Sequence, residues 1–86
     1  MPVPLTNARR TQLIRAREAR GLTQTDVARA VGMSSQYINR IERGAKAPSR
    51  VALTEIANVV GLEVRVELRV TLRPKRPHRK QRRATS

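Results

Sequence analysis

Few side chains in this sequence can make or break bonds. There is no Cys, and the one His, His78, lies among basic residues near the end. Disulfides and thiolate metal sites are absent, and a His-centred metal or acid–base site has no basis. The sequence has no Gly-rich phosphate loop and no paired nucleophile and base, so it does not read as an enzyme and needs no cofactor. What remains is hydrogen bonding and positive charge. Ser35, Gln36, Asn39 and Arg40 fall within six residues of one another. A glutamine amide can bond adenine N6 and N7 together, and a guanidinium can bond guanine O6 and N7.

Charge points the same way. The 86 residues carry 19 Lys and Arg against 6 Asp and Glu, a net charge of +13. Residues 1–72 hold 12 basic and 6 acidic residues, and residues 73–86 hold 7 basic residues and no acid. Such a balance favours a polyanionic partner. Tyr37 is the one aromatic, which argues against stacking platforms for single strands. No apolar run approaches the ~20 residues of a membrane span, and the start lacks a signal pattern. The core must be aliphatic. A chain this short gains only ~3–5 kcal/mol from its own core, so oligomerisation is expected to help.

The elements that position these side chains follow from periodicity and punctuation. Residues 1–6 contain Pro2 and Pro4 and read as an extended arm. Residues 7–20 are good helix formers, stopped by Gly21. Thr23 and Asp26 resemble a capping box opening a second helix, with Val27, Ala28 and Val31 on its inner face and Gly32 ending it. Ser34 caps a third helix over residues 35–43, with Ile38 and Ile41 buried and Gly44 as its stop. Ala47 before Pro48 is disfavoured in a helix, which predicts a loop. Ser49 caps a fourth helix over residues 50–60, with Leu53, Ile56, Ala57 and Val60 on one stripe.

The period then changes to two. Leu62, Val64, Val66, Leu68, Val70 and Leu72 alternate with charged or polar residues, a strand pattern over residues 62–72. Residues 73–86 read as a basic tail that cannot build a core and is disordered when free.

The helices at 23–31 and 34–43 are joined by Gly32 and Met33, a connection short enough to make them cross steeply, as in a helix-turn-helix. Gly21-Leu22-Thr23-Gln24, Val27-Ala28, Val31-Gly32-Met33, Ile38 and Ile41-Glu42-Arg43-Gly44, with Pro48-Ser49, resemble the Cro/CI (XRE-type) helix-turn-helix family over residues 10–61. The resemblance implies a mostly α fold, a four-helix lambda-repressor-like DNA-binding domain spanning residues 7–61. It implies that Ser35, Gln36 and Arg40 face base edges in the major groove, with Asn39 beside them. It places Gln24, and Ser34 with it, against phosphate. Arg43, Lys46 and Arg50 follow the recognition helix and would flank the groove as phosphate contacts, which set register without reading sequence. For Tyr37 two roles stay open: packing over the start of the second helix, or offering its hydroxyl to phosphate. Arg17 and Glu42 match positions that form an ion pair in related repressors, a structural role. For Gln24, Ser35, Gln36, Asn39, Arg40 and Arg50 the plain alternative is a solvated face or loop.

A lone strand with one apolar face is unstable in water. The expectation is that residues 62–72 pair with the same segment of a second copy, through Leu62, Val64, Val66, Leu68 and Val70. Opposite charges meet when Val66 or Leu68 lies on the two-fold axis; centring on Arg65 or Glu67 opposes like charges. The alternative is a strand folded back on its own domain.

The expected function is sequence-specific binding of double-stranded DNA by a homodimer on a palindromic operator. The chain would be a bacterial or phage transcriptional regulator located in the cytoplasm, with repression coming from occupancy of the operator; the sequence does not give the direction of regulation. No membrane and no small-molecule substrate is expected. A four-helix domain ending in an intersubunit strand also resembles antitoxins of the HipB type, which bind a kinase-like toxin. A third reading is non-specific nucleic-acid binding driven by the tail.

Overall fold

The computed structural model describes residues 2–66 and 70–75. They form four helices, α1 (Asn7–Ala19), α2 (Gln24–Val31), α3 (Ser35–Arg43) and α4 (Arg50–Val59), followed by strands β1 (Leu62–Val66) and β2 (Val70–Pro74).

Each helix starts on a hydroxyl that accepts from a backbone N–H three residues on. Thr6 accepts from Arg9, Thr23 from Asp26, Ser34 from Tyr37 and Ser49 from Ala52. At α2 the exchange is mutual, because Asp26 Oδ2 accepts from the Thr23 N–H at 2.8 Å. Asp does here what Glu or Gln usually does. Gly32 closes α2 with φ of 71°, a left-handed backbone that lets the chain turn sharply into α3.

The core is aliphatic. Leu13, Val27, Ala28, Ile38, Ile41, Leu53, Ile56, Ala57, Val60, Leu62 and Leu72 are buried together. All four helices and both strands contribute, so α3 is held from below by α1 and α2 while its other side stays open. The arm does not float free. The Val3 N–H donates to the Pro48 carbonyl at 2.6 Å, and Pro2 forms a bridge with Ser49.

The strand expectation needs correcting. Residues 62–72 are not one continuous strand awaiting a second copy. The chain folds back, and β1 pairs with β2 antiparallel: Leu62 with Pro74, Glu63 with Arg73, Val64 with Leu72, Arg65 with Thr71 and Val66 with Val70. The physical reason is that both halves of the alternating pattern find cover at home. Leu62 and Leu72 are buried, and Val64 and Val70 pack against the same core. Gln12 on α1 donates to the Leu72 carbonyl at 3.0 Å, which ties β2 to the helical body. Arg73 and Pro74, assigned to the tail by composition, belong to β2, and the Lys75 N–H donates to the Gly61 carbonyl. Leu68 lies outside the described residues, as do the Val66 side chain and the tail from residue 76.

Candidate nucleic-acid interface

The exposed side of α3 forms one wall of an open recess lined by Gln24, Ser35, Gln36, Asn39, Arg40 and Arg43. Residues 36, 40 and 43 recur at about one helical turn, which puts them on the same face. Ile38 and Ile41 occupy the opposite face in the core. The strong segregation of polar from apolar residues on nine residues therefore fixes which side of α3 looks outward. Gln36, Arg40 and Arg43 are exposed, and Ser35, Asn39 and Gln24 are half-buried.

Beneath the recess lies an ion pair. Arg17 Nε donates to Glu42 Oε2 at 2.8 Å and Arg17 Nη2 to Glu42 Oε1 at 3.1 Å, a bidentate arrangement. The side chains are 13% and 9% exposed, so water screens the pair little. The hydrogen bond to Glu42 holds the Arg17 guanidinium above its ordinary pKa, against the opposing effect of burial. The third guanidinium nitrogen donates to the Leu22 carbonyl at 2.8 Å, just before α2. One arginine thus joins α1, the start of α2 and the end of α3.

The pair also reaches the recess. Gln24 Nε2 donates to Glu42 Oε1 at 2.9 Å, and Asn39 Nδ2 donates to Gln24 Oε1 at 3.3 Å. Gln24 still has a second amide hydrogen free of this link. Sequence reasoning found Gln24, Asn39 and Glu42 separately and missed that they are connected. The signal was available in principle: a shielded carboxylate has more lone pairs than one arginine fills.

The other sequence-derived candidates lie outside the recess. The Ser34 hydroxyl accepts from the Tyr37 N–H as the cap of α3 and keeps its own proton to donate. Tyr37 is half-buried and lines a shallow cleft with Pro2, Lys46, Ala47 and Ser49. Arg50 stands in the first turn of α4 beside Val51, Thr54 and Glu55. Lys46 is exposed on the loop after α3, in reach of the arm.

Arg10 is the positioning residue that the sequence did not reveal. It donates to the Leu5 carbonyl at 2.8 Å and to Asn7 Oδ1. Its guanidinium also covers Gly44, the residue that ends α3. A cation beside a helix C-terminus is favourable, because unsatisfied carbonyls gather there. No local pattern announces this contact, which joins residues far apart in the chain.

Among the described residues no cluster of His, Cys, Asp or Glu could hold a metal ion, and no helix is long and apolar enough to cross a membrane. The site offers donors, acceptors and positive charge on the exposed face of α3.

Comparison with known proteins finds helix-turn-helix relatives. The chain is 41% identical over 48 residues to an HTH-type transcriptional regulator of Sinorhizobium fredii, covering 56% of this chain and 62% of that protein. It is 40% identical over 50 residues to the ImmF control region 10 kDa protein of Bacillus phage phi105, covering 58% of this chain and 56% of that one. The chain therefore spans about three fifths of the length of these curated relatives. A family described as a helix-turn-helix domain matches residues 10–71, from the middle of α1 into β2. The chain belongs to that helix-turn-helix domain family, in its Cro/CI (XRE) type.

Proposed function

We propose that the chain binds double-stranded DNA in a sequence-specific way and regulates transcription as a repressor. The observation that carries this reading is the recess on α3, where Gln36 and Arg40 stand exposed beside Ser35 and Asn39. A major groove about 12 Å wide admits a helix, and these side-chain types bond base edges there. Gln24, Ser34, Tyr37, Arg43, Lys46 and Arg50 are assigned to the DNA backbone, where they orient the protein. The phage relative's description as a control-region protein accords with repression.

The protein acts as a homodimer on a palindromic operator. Two recognition helices then meet the duplex about 34 Å apart.

A titration of Arg40→Ala against a selected site and a scrambled duplex, at one salt concentration, tests the reading. The expected loss is ~1–3 kcal/mol on the site only. Equal losses on both duplexes would refute base reading by Arg40. Light scattering at the same concentrations tests the dimer, and a protein that stays monomeric on and off DNA refutes it.

A further inference from the structure

Four side chains beneath and within the recess form one hydrogen-bonded line. Arg17 donates to both oxygens of Glu42, Gln24 Nε2 donates to Glu42 Oε1, and Asn39 Nδ2 donates to Gln24 Oε1. The line has a direction. A guanidinium only donates and a carboxylate only accepts. Glu42 therefore makes Gln24 turn its amide nitrogen inward and its oxygen toward Asn39. That oxygen in turn claims one N–H of Asn39. The acceptor Oδ1 and a single N–H of Asn39 are left for the recess.

We propose that this line decides which bases Asn39 accepts: a base that donates from its major-groove edge, adenine or cytosine, in preference to guanine or thymine on the same strand. The inference rests on the reading of α3 as the base-reading helix. Adenine N6 and cytosine N4 are donors in the major groove, whereas guanine O6 and thymine O4 are acceptors. An acceptor set against Oδ1 leaves both oxygens unmatched after water has been removed, which costs more than a missing hydrogen bond. Glu42 thus influences a base pair that it does not touch. Asn39 is the specificity-determining residue, and Glu42 and Gln24 are positioning residues.

The substitution Glu42→Gln reverses the line. Arg17 Nε makes the shorter of the two bonds to residue 42, so the new amide keeps its oxygen there and sets its nitrogen in the place of Oε1, giving up the Nη2 bond and facing Gln24. Gln24 then accepts from that nitrogen and donates to Asn39 Oδ1. Asn39 is left presenting its amide hydrogens, which suit guanine or thymine.

Selection of bound duplexes from a random-sequence pool tests this, run with the full chain as wild type, Asn39→Ala, Arg40→Ala and Glu42→Gln at one salt concentration. Asn39→Ala identifies the base pair read by residue 39 as the position where preference collapses. In wild type the two best pairs there are A·T and C·G in one orientation, by about tenfold over the other two. In Glu42→Gln the order inverts at that position and is kept at the position where Arg40→Ala abolishes preference. The proposal is overturned if Asn39→Ala selects the wild-type site unchanged. It is overturned if the two best pairs sort by purine or by A·T content. A folded Glu42→Gln protein that keeps the wild-type order overturns it too. If circular dichroism shows Glu42→Gln unfolded, the wild-type and Asn39→Ala profiles decide by the first two criteria. Enrichment of no sequence by wild type overturns the sequence-specific reading itself, and this inference with it.

Discussion

Arg10 lies where a side chain on Gly44 would have to go: a Cβ added to Gly44 would stand 2.8 Å from Arg10 Cζ. Gly44 also has φ of 80°, in the left-handed region. The two facts reinforce each other, since the residue that ends α3 must both turn the backbone and make room for a guanidinium. Gly44→Ala is expected to lower stability by about 1–2 kcal/mol, mostly from the backbone, because the guanidinium is the movable end of a flexible side chain. Urea unfolding measures this. A midpoint equal to wild type would contradict it.

The capping box of α2 predicts a pH dependence. The Thr23 backbone N–H bonds the Asp26 carboxylate, and with the Thr23 hydroxyl it pulls the Asp26 pKa below its ordinary 3.8. A depressed folded-state pKa gives stability that is full above the unfolded value and fades as pH falls through the folded one. Stability is therefore expected to hold down to about pH 5 and to decline below about pH 4 in part through Asp26. Asp26→Asn should remove that portion of the decline, read as a flatter plot of urea midpoint against pH between about 2 and 5.

Leu72 is 4% exposed and seals the hairpin over the helical core. Leu72→Ala is expected to cost about 2–5 kcal/mol, as for other buried leucines truncated in a packed interior. Thr71→Ala, on the neighbouring half-buried position, should cost much less. Similar effects of the two substitutions on the thermal midpoint would show that the hairpin does not cover the core in solution.

Ending the chain after Lys75 removes five basic residues, Arg76, Arg79, Lys80, Arg82 and Arg83. If they neutralise phosphates, truncation makes the plot of log affinity against log salt shallower, by about 0.9 for each phosphate no longer neutralised. Base preference should persist, because the residues assigned to base edges stay in place. A truncated chain that binds selected and scrambled duplexes alike would make the basic tail the source of specificity and count against α3.

The helices were readable because most of their ends are punctuated. Thr23, Ser34 and Ser49 supply the hydroxyls that open α2, α3 and α4, and Gly32 and Gly44 close two of them. The outward face of α3 was readable for the same kind of reason, since Ile38 and Ile41 leave Gln36 and Arg40 only one side to occupy. The hairpin was hidden. Alternation runs through Glu67, Leu68 and Arg69 without a Gly, Pro, Asn or Asp to mark a reversal. A pattern with period two says which face is apolar and is silent on where the strand turns back. The approach of Arg10 to Gly44 and the link from Gln24 to Glu42 were hidden for a different reason. They depend on how helices distant in sequence are packed, and one-dimensional spacing carries no trace of that.

Arg17 has a consequence for anyone exchanging specificities between members of this family. Because a single guanidinium fastens Glu42 on one helix and the Leu22 carbonyl ahead of another, α3 is not a free-standing cartridge. Grafting residues 35–43 onto a foreign scaffold without matching partners at 10, 17 and 24 transplants the letters and leaves behind the mounting that aims them.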